Sequence, residues 1–320
     1  MNNYHLYEEI GHGKLSTVYK GRRRGTIQYV AIKSVDKTKR SRVMNEVSIS
    51  NDLGESLLPA PQVCQLLNWY ETRNHLWTVS EYCAGGDLGK ILKEDEKISP
   101  ESHESQIFQF SNQLLSGLLT LHAAGIVFAD MKPGNVLFTE SGEIKLSGFA
   151  VSQRVSDLEL ALDEHRQVPR RGSPFYMAPE LFRESGFHSF ASDLWGLGVV
   201  LHEIATGHTP FSTCDSFQEL QRQVTAPSPT PLGKISNDHL RSLLQRLLEK
   251  DPSARIGWKE LLAHPWWREE GKAEWTTLVE TKIAPAETRF RQRFAPRAPP
   301  VLSKRRNSSF DEFPHRTIRE

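Results

Sequence analysis

The sequence predicts an α+β chain, with a strand-rich N-terminal portion followed by a larger, mainly helical one. Three observations carry this. Tyr4 to Ile10, Thr17 to Arg24 and Tyr29 to Val35 are β-branched and aromatic runs parted by glycine turns, the pattern of consecutive strands. From Gln106 to Ala124, Ile107, Phe110, Leu114, Leu115, Leu118 and Leu121 recur at near-helical spacing, and Gly125 stops the run. Just beyond, Val136-Leu137-Phe138 and Ile144-Lys145-Leu146 are two short strand pieces joined by the turn former Glu140-Ser141-Gly142.

A length of 320 residues suits one large two-lobed unit or two ordinary domains. The net charge of +1 gives no global attraction to nucleic acid or an anionic membrane, so neither is expected as a partner. No apolar run approaches the ~20 residues that span a bilayer, and Met1-Asn2-Asn3-Tyr4-His5 does not open a signal peptide. Cys64, Cys83 and Cys214 lie far apart without metal-ligand spacing, as in a reduced, cytoplasmic protein.

Taken in order, the first strand turns at Gly11-His12-Gly13-Lys14-Leu15-Ser16-Thr17-Val18. Alone, a G-x-G in a hairpin is only a turn. It gains weight from Val30-Ala31-Ile32-Lys33 on the third strand and from Glu46 within the apolar periodicity of Val43 to Ile49, at a separation of 46 − 33 = 13. Between them Lys37, Lys39, Arg40 and Arg42 read as a solvated loop. Leu76 to Leu88 forms a strand and an exit through Glu81, Cys83 and two glycines. After the long helix come Asp130, Lys132 and Asn135, with 135 − 130 = 5. Gly148, Phe149 and Ala150 follow, 148 − 135 = 13 residues beyond Asn135. Residues 150–170 are polar and acidic with few apolar anchors and read as a mobile segment. Gly172-Ser173-Pro174-Phe175-Tyr176-Met177-Ala178-Pro179-Glu180, Ala191-Ser192-Asp193-Leu194-Trp195-Gly196, Asp251-Pro252-Ser253-Ala254-Arg255 and His264-Pro265-Trp266-Trp267 complete the series.

In this order, over residues 4–267, these motifs resemble those of protein kinases. The resemblance implies a two-lobed kinase fold. An N-lobe of about residues 1–84 would carry a small antiparallel sheet and one helix, and a mainly helical C-lobe would run from about 85 to 267. It implies ATP as ligand, with Ile10, Gly11 and Gly13 in the glycine-rich lid, where Ser16 stands for the third glycine. Val18, Ala31 and Leu137 would sandwich the adenine, the Glu81–Cys83 hinge would bond its edge, and small Ser80 behind it leaves an open back pocket. Lys33 would pair with the phosphates and Glu46. Asp130 takes the base position, Lys132 accompanies it, and Asn135 is a metal ligand. Phe128-Ala129 replaces the family's His-Arg, so Ala129 cannot grip a phosphorylated segment. Glu180 and Arg255 would form a buried pair.

The departure of most consequence is Gly148, where the family has the carboxylate that holds magnesium. Metal stabilisation is worth several kcal/mol, so at ~1.4 kcal/mol per decade its loss removes roughly two to four decades of rate. Two readings stand open. One is an ATP-binding pseudokinase acting as scaffold or allosteric partner, with magnesium unnecessary for binding. The other is an active Ser/Thr kinase with unusual metal handling. Tyr-x-x-Tyr-Glu-x-Ile-Gly-His-Gly-Lys from Tyr4, Thr17-Val18-Tyr19-Lys20-Gly21-Arg22 and Phe190-Ala191-Ser192-Asp193-Leu194-Trp195 further resemble the Fused-like branch of the Unc-51-like kinases. That branch implies degraded catalytic motifs, protein partners linked to microtubules or cilia, and a cytoskeletal or ciliary location. Residues 268–320 read as a basic, Pro/Arg-rich tail, an extended linker or docking segment in which Phe290, Phe294, Phe310 and Phe313 argue for docking, and Arg305-Arg306-Asn307-Ser308 resembles a basic-directed phosphorylation site.

Overall fold

The computed structural model describes residues 3–13, 16–56, 58–94, 100–267 and 273–294. In the N-lobe, β1 (Tyr4–Gly13), β2 (Ser16–Arg23) and β3 (Tyr29–Asp36) precede helix α1 (Arg40–Glu55), and β4 (Leu66–Glu71) and β5 (His75–Glu81) follow it. They form one antiparallel five-stranded sheet in the order β1-β2-β3-β5-β4. The period of two divides its faces: Val30, Ile32 and Val79 are fully buried with Tyr4, while Ala31 and Lys33 point the other way. Helix α1 buries Val43, Val47, Ile49 and Leu53, which places Glu46 beside the second face.

The chain crosses into the C-lobe through β6 (Gly86–Asp87), α2 (Leu88–Glu94) and the long α3 (Pro100–Ala123). Next come β7 (Ile126–Val127), β8 (Val136–Phe138), β9 (Ile144–Leu146), β10 (Gln153–Arg154) and α4 (Val155–Asp163). Strands β8 and β9 pair antiparallel, as the two short strand pieces predict. The lobe is completed by α5 (Phe190–Thr206), α6 (Phe217–Thr225), α7 (Asp238–Leu247), α8 (Trp258–Leu262), α9 (Ala273–Leu278) and α10 (Ala284–Phe294). Helix α5 is the axis of this lobe. Its start is closed by a capping box between Ser189 and Ser192, and its end by Gly207 at φ +80°. Fourteen of its residues are buried, among them Trp195 and Asp193.

Two sequence expectations are corrected here. Residues 155–163 are helix, not a mobile polar stretch, because Val155 and Leu158 find the C-lobe core. Residues 273–294 are helical and dock on the C-lobe, so of the two readings of the tail the docking segment holds here and the extended linker does not. Across a π turn at Val279–Ile283, α9 and α10 send Val279, Ile283, Ala286 and Phe290 into the same core as α3 and α5. Burying Phe290 supplies the ordering free energy that the basic composition alone does not. Of the basic run 37–42, Arg40 and Arg42 lie on α1, and Lys37 and Arg40 meet Glu71 at 2.8 and 2.7 Å. Residues 295–320, including Ser308, lie outside the described residues.

Candidate functional site

A cleft of about 850 Å³ opens between the sheet and the C-lobe. Its roof comes from β1 and β2: Ile10, Gly11, Gly13 and Val18 line it, and a Cβ on Gly13 would come within 2.7 Å of the Ser16 hydroxyl. Its upper wall is the second face of the sheet. Val18 lies opposite Lys33, and Ala31 opposite Ser80, so the alternation delivers all four to the cleft. Leu137 of β8 forms the floor. Glu81 and Cys83 form the back, where the chain passes between lobes.

Lys33 Nζ meets Glu46 Oε2 at 3.1 Å, both largely shielded. Helix α1 is held inward by a second contact. The Asn45 amide donates to the carbonyls of Phe149, Ala150 and Ser152, at 3.3, 3.4 and 2.9 Å. Two further links stand out only in three dimensions. Lys145 Nζ on β9 pairs with Glu81 Oε2 at 3.0 Å, while Glu81 Oε1 accepts from the Gln65 N–H at 2.7 Å, stitching the hinge side chain to both lobes. Lys90 Nζ on α2 donates to the Ile10 carbonyl at 3.1 Å, tying the C-lobe to the lid. A lysine on a short strand or helix gave no sequence signal for either role. At the hinge the Cys83 thiol is shifted down by a hydrogen bond from Cys64, whose own thiol is pushed well up by that bond and by burial.

Beneath the cleft, Asp193 of α5 builds the loop that carries Asp130. Its buried carboxylate accepts from the N–H groups of Phe128 and Ala129, at 2.7 and 2.8 Å, and from His122 Nε2 at 2.9 Å. His122 is oriented in turn by the Trp258 indole N–H, which donates to Nδ1 at 2.8 Å. These bonds hold Ala129 at φ +67°, a conformation costly for alanine and sustained by its surroundings. Phe128 and Phe149 pack with ring centroids 5.6 Å apart. Asp130 then presents its two oxygens to different partners. Oδ1 accepts from the Ser173 hydroxyl at 3.0 Å, and Oδ2 pairs with Lys132 Nζ at 2.7 Å. Lys132 Nζ also donates to Ser173 Oγ at 2.9 Å, closing a three-residue ring. All the predicted nucleotide-site residues, with Lys132 and Asn135, line the cleft; Asp130 adjoins it through Lys132 and Asn135.

At the family's magnesium position the donors do not fit a divalent ion. Gly148 carries no ligand atom and sits at φ +84°. The Asn135 amide fills the adjoining space: a Cβ on Gly148 would meet its Oδ1 at 2.7 Å. Asn135 Nδ2 is turned to Asp130, donating to the backbone oxygen at 2.8 Å and to Oδ2 at 3.0 Å. Among the described residues, no group of three or more His, Cys, Asp or Glu side chains could hold a metal.

The sheet-and-helix architecture, the Lys33–Glu46 pair and the loop hung on Asp193 together define a protein kinase fold. Residues 4–267 match the family described as Protein kinase domain, and the chain belongs to that family. Within it the chain falls in the Unc-51-like/Fused branch. It is 40% identical over 314 residues to serine/threonine-protein kinase RUNKEL of Arabidopsis thaliana, covering 98% of this chain and 21% of RUNKEL. It is 35% identical over 299 residues to serine/threonine-protein kinase ULK4 of Mus musculus, covering 86% of this chain and 22% of ULK4. With serine/threonine-protein kinase 36 of the same organism it shares 35% over 271 residues, 83% of this chain and 19% of that one. The chain thus spans about a fifth of the length of these relatives. The kinase fold implies ATP binding. No helix among the described residues is long and apolar enough to cross a membrane.

Proposed function

We propose that this chain is an ATP-binding pseudokinase that works as a scaffold or allosteric partner, with phosphotransfer lost or strongly reduced. The observation that carries the reading is the replacement of the metal-loop carboxylate by Gly148 together with the Asn135 amide turned onto Asp130. Nucleotide is held by the lid (Ile10, Gly11, Gly13), the adenine slot (Val18, Ala31, Leu137), the hinge at Glu81 and Cys83, and Lys33 steadied by Glu46. None of these contacts needs a metal, so magnesium is unnecessary for binding. Without a carboxylate at 148 the phosphates also meet less negative charge. A kinase-like domain over residues 1–267, with the C-lobe core extended by α9 and α10, belongs to the same proposal. So do protein partners, microtubule or ciliary ones by family resemblance, and a cytoplasmic, cytoskeletal or ciliary location.

A second reading has its own support. Asp130, Lys132 and Ser173 form the closed ring that an active Ser/Thr kinase would use, with Asp130 as the base for a substrate hydroxyl and Asn135 as the one remaining metal ligand. Two measurements separate them. Thermal melts with ATP, in excess magnesium and in chelator, should rise in both; a ligand at ~100 times its dissociation constant adds about 2.7 kcal/mol. A rise confined to magnesium defeats the metal-free reading. Phosphotransfer should lie at least roughly a hundredfold below the ordinary 1–100 per second. Robust turnover that Asp130→Asn abolishes would establish the active kinase instead.

A further inference from the structure

Helix α4 is nine residues long and ends in Asp163. A helix so short is marginal alone, and an acid in its last turn opposes the dipole. Its stability must come from outside. Val155 and Leu158 supply part of it from the core. Two ion pairs from α10 add to it. Arg289 Nε meets Glu159 Oε1 at 2.6 Å, and Arg293 Nη2 meets Asp163 Oδ1 at 2.6 Å. Both pairs are spaced by four residues (163 − 159 and 293 − 289), so the two charge rows face each other in parallel register, bridged by the arginine side chains. The second pair places a cation at the end of α4 where the dipole calls for one.

Helix α10 is itself anchored. Phe290 is buried, Phe294 stacks on Phe187 at 4.6 Å and 8°, and Glu287 and Arg291 bond the backbone of Trp258, Ser253 and Arg255. At its other end α4 begins beside Arg154, whose guanidinium reaches Asp52 at 2.6 Å and Ser48 at 2.6 Å, both on α1. Helix α1 carries Glu46, the partner of Lys33 in the cleft.

We propose that α10 is a strap which fixes the activation-segment helix α4 against α1 and thereby tunes the nucleotide cleft. The chain of contact runs from Arg289 and Arg293 to α4, through Arg154 to α1, and from Glu46 to Lys33. Ala129 leaves this protein without the arginine by which a phosphorylated segment is gripped in the family it belongs to, and the strap supplies a grip that needs no phosphate. The coupling to the cleft rests on the nucleotide-binding reading; the hold of α10 on α4 and α1 does not.

The test uses the full chain in three forms: the parent, Arg289→Glu/Arg293→Glu, and that pair combined with Glu159→Arg/Asp163→Arg, which restores the ladder with its signs exchanged. Amide hydrogen exchange over residues 155–163 and 40–55 is read without ligand, and ATP affinity by titration. The charge reversal should speed exchange in both helices and weaken ATP by about fivefold, the low end for coupled sites. The exchanged ladder should recover both. Unchanged exchange in α4 after reversal, or no recovery in the exchanged form, overturns the strap. Faster exchange in α4 with α1 and ATP affinity unmoved overturns the coupling. Should the parent bind no ATP, the nucleotide reading falls, and exchange in α1 alone decides whether the strap reaches that helix.

Discussion

At the scale of single residues, Gly148 is more than a lost ligand. Any side chain there must displace the Asn135 amide, which a Cβ would approach to 2.7 Å, and must accept φ +84°. Aspartate tolerates that backbone better than most residues. Gly148→Asp should therefore fold, at a cost of about 1–2 kcal/mol, and should make ATP binding more responsive to magnesium as Asn135 is pushed off Asp130. A melt compared with the parent, and ATP titrations with and without chelator, check both parts; an undiminished melting temperature would mean that Asn135 moves freely. Arg255 tells the opposite story, a charge that must stay paired. It is fully buried, forks onto both oxygens of Glu180 at 2.8 and 2.9 Å, and donates to the carbonyls of Ala191 and Glu249. Arg255→Ala strands the Glu180 carboxylate, and chemical denaturation should show a loss of roughly 3–5 kcal/mol.

At the scale of elements, the match to the protein kinase domain ends at residue 267 while the packing does not. Glu287 of α10 accepts from the N–H of Trp258 at the start of α8, and its carboxyl is pushed up by burial there. Arg291 donates to the carbonyls of Ser253 and Arg255, at 2.6 and 2.7 Å, bracing the same loop that positions Arg255 for Glu180. Phe290→Ala should cost about 3–5 kcal/mol, as for a buried aromatic in any core. A chain ending at 267 should melt well below one ending at 294, because Val279, Ile283 and Phe290 leave their apolar neighbours uncovered. Equal melting of the two would show α9 and α10 to be dispensable decoration.

At the scale of the whole molecule, acid should loosen the C-lobe before it protonates carboxylates. His188 lies buried against Arg171, donating through Nε2 to its carbonyl at 2.7 Å. Burial lowers its pKa below the ordinary histidine value, with Asp193, Glu180 and Asp130 pulling the other way. His202, on α5, is lowered by burial as well. The folded protein then holds these rings neutral while the unfolded chain takes up protons below about pH 6.5, so stability falls as pH drops through that value. Each such group contributes at most ~1.4 kcal/mol per pH unit. Denaturation curves at pH 7.5 and 5.5 should differ, and His188→Gln should reduce the difference; a midpoint that stays level over that range would exclude the effect.

Much of this protein was legible along the chain. The strands β1 to β3, the long α3 and the β8–β9 pieces announce themselves because a period of two or of 3.6 is a local property of consecutive residues. The spacing from Asp130 to Asn135 and on to Gly148 is likewise set by a short loop and two short strands, and the missing carboxylate is visible without coordinates. Tertiary structure alone decided the rest. Residues 155–163 hold five apolar side chains in nine but form too short a window, inside a polar stretch, to declare a helix; residues 284–294 hold few apolar side chains, and Val155, Leu158 and Phe290 become anchors only once the core built on α3 and α5 exists to receive them. Lys145 with Glu81, Lys90 with Ile10, and Arg289 with Glu159 join residues 64, 80 and 130 positions apart. A charged side chain with a distant partner looks the same in sequence as one with water for a partner, since what distinguishes them is the folded backbone that brings the two together.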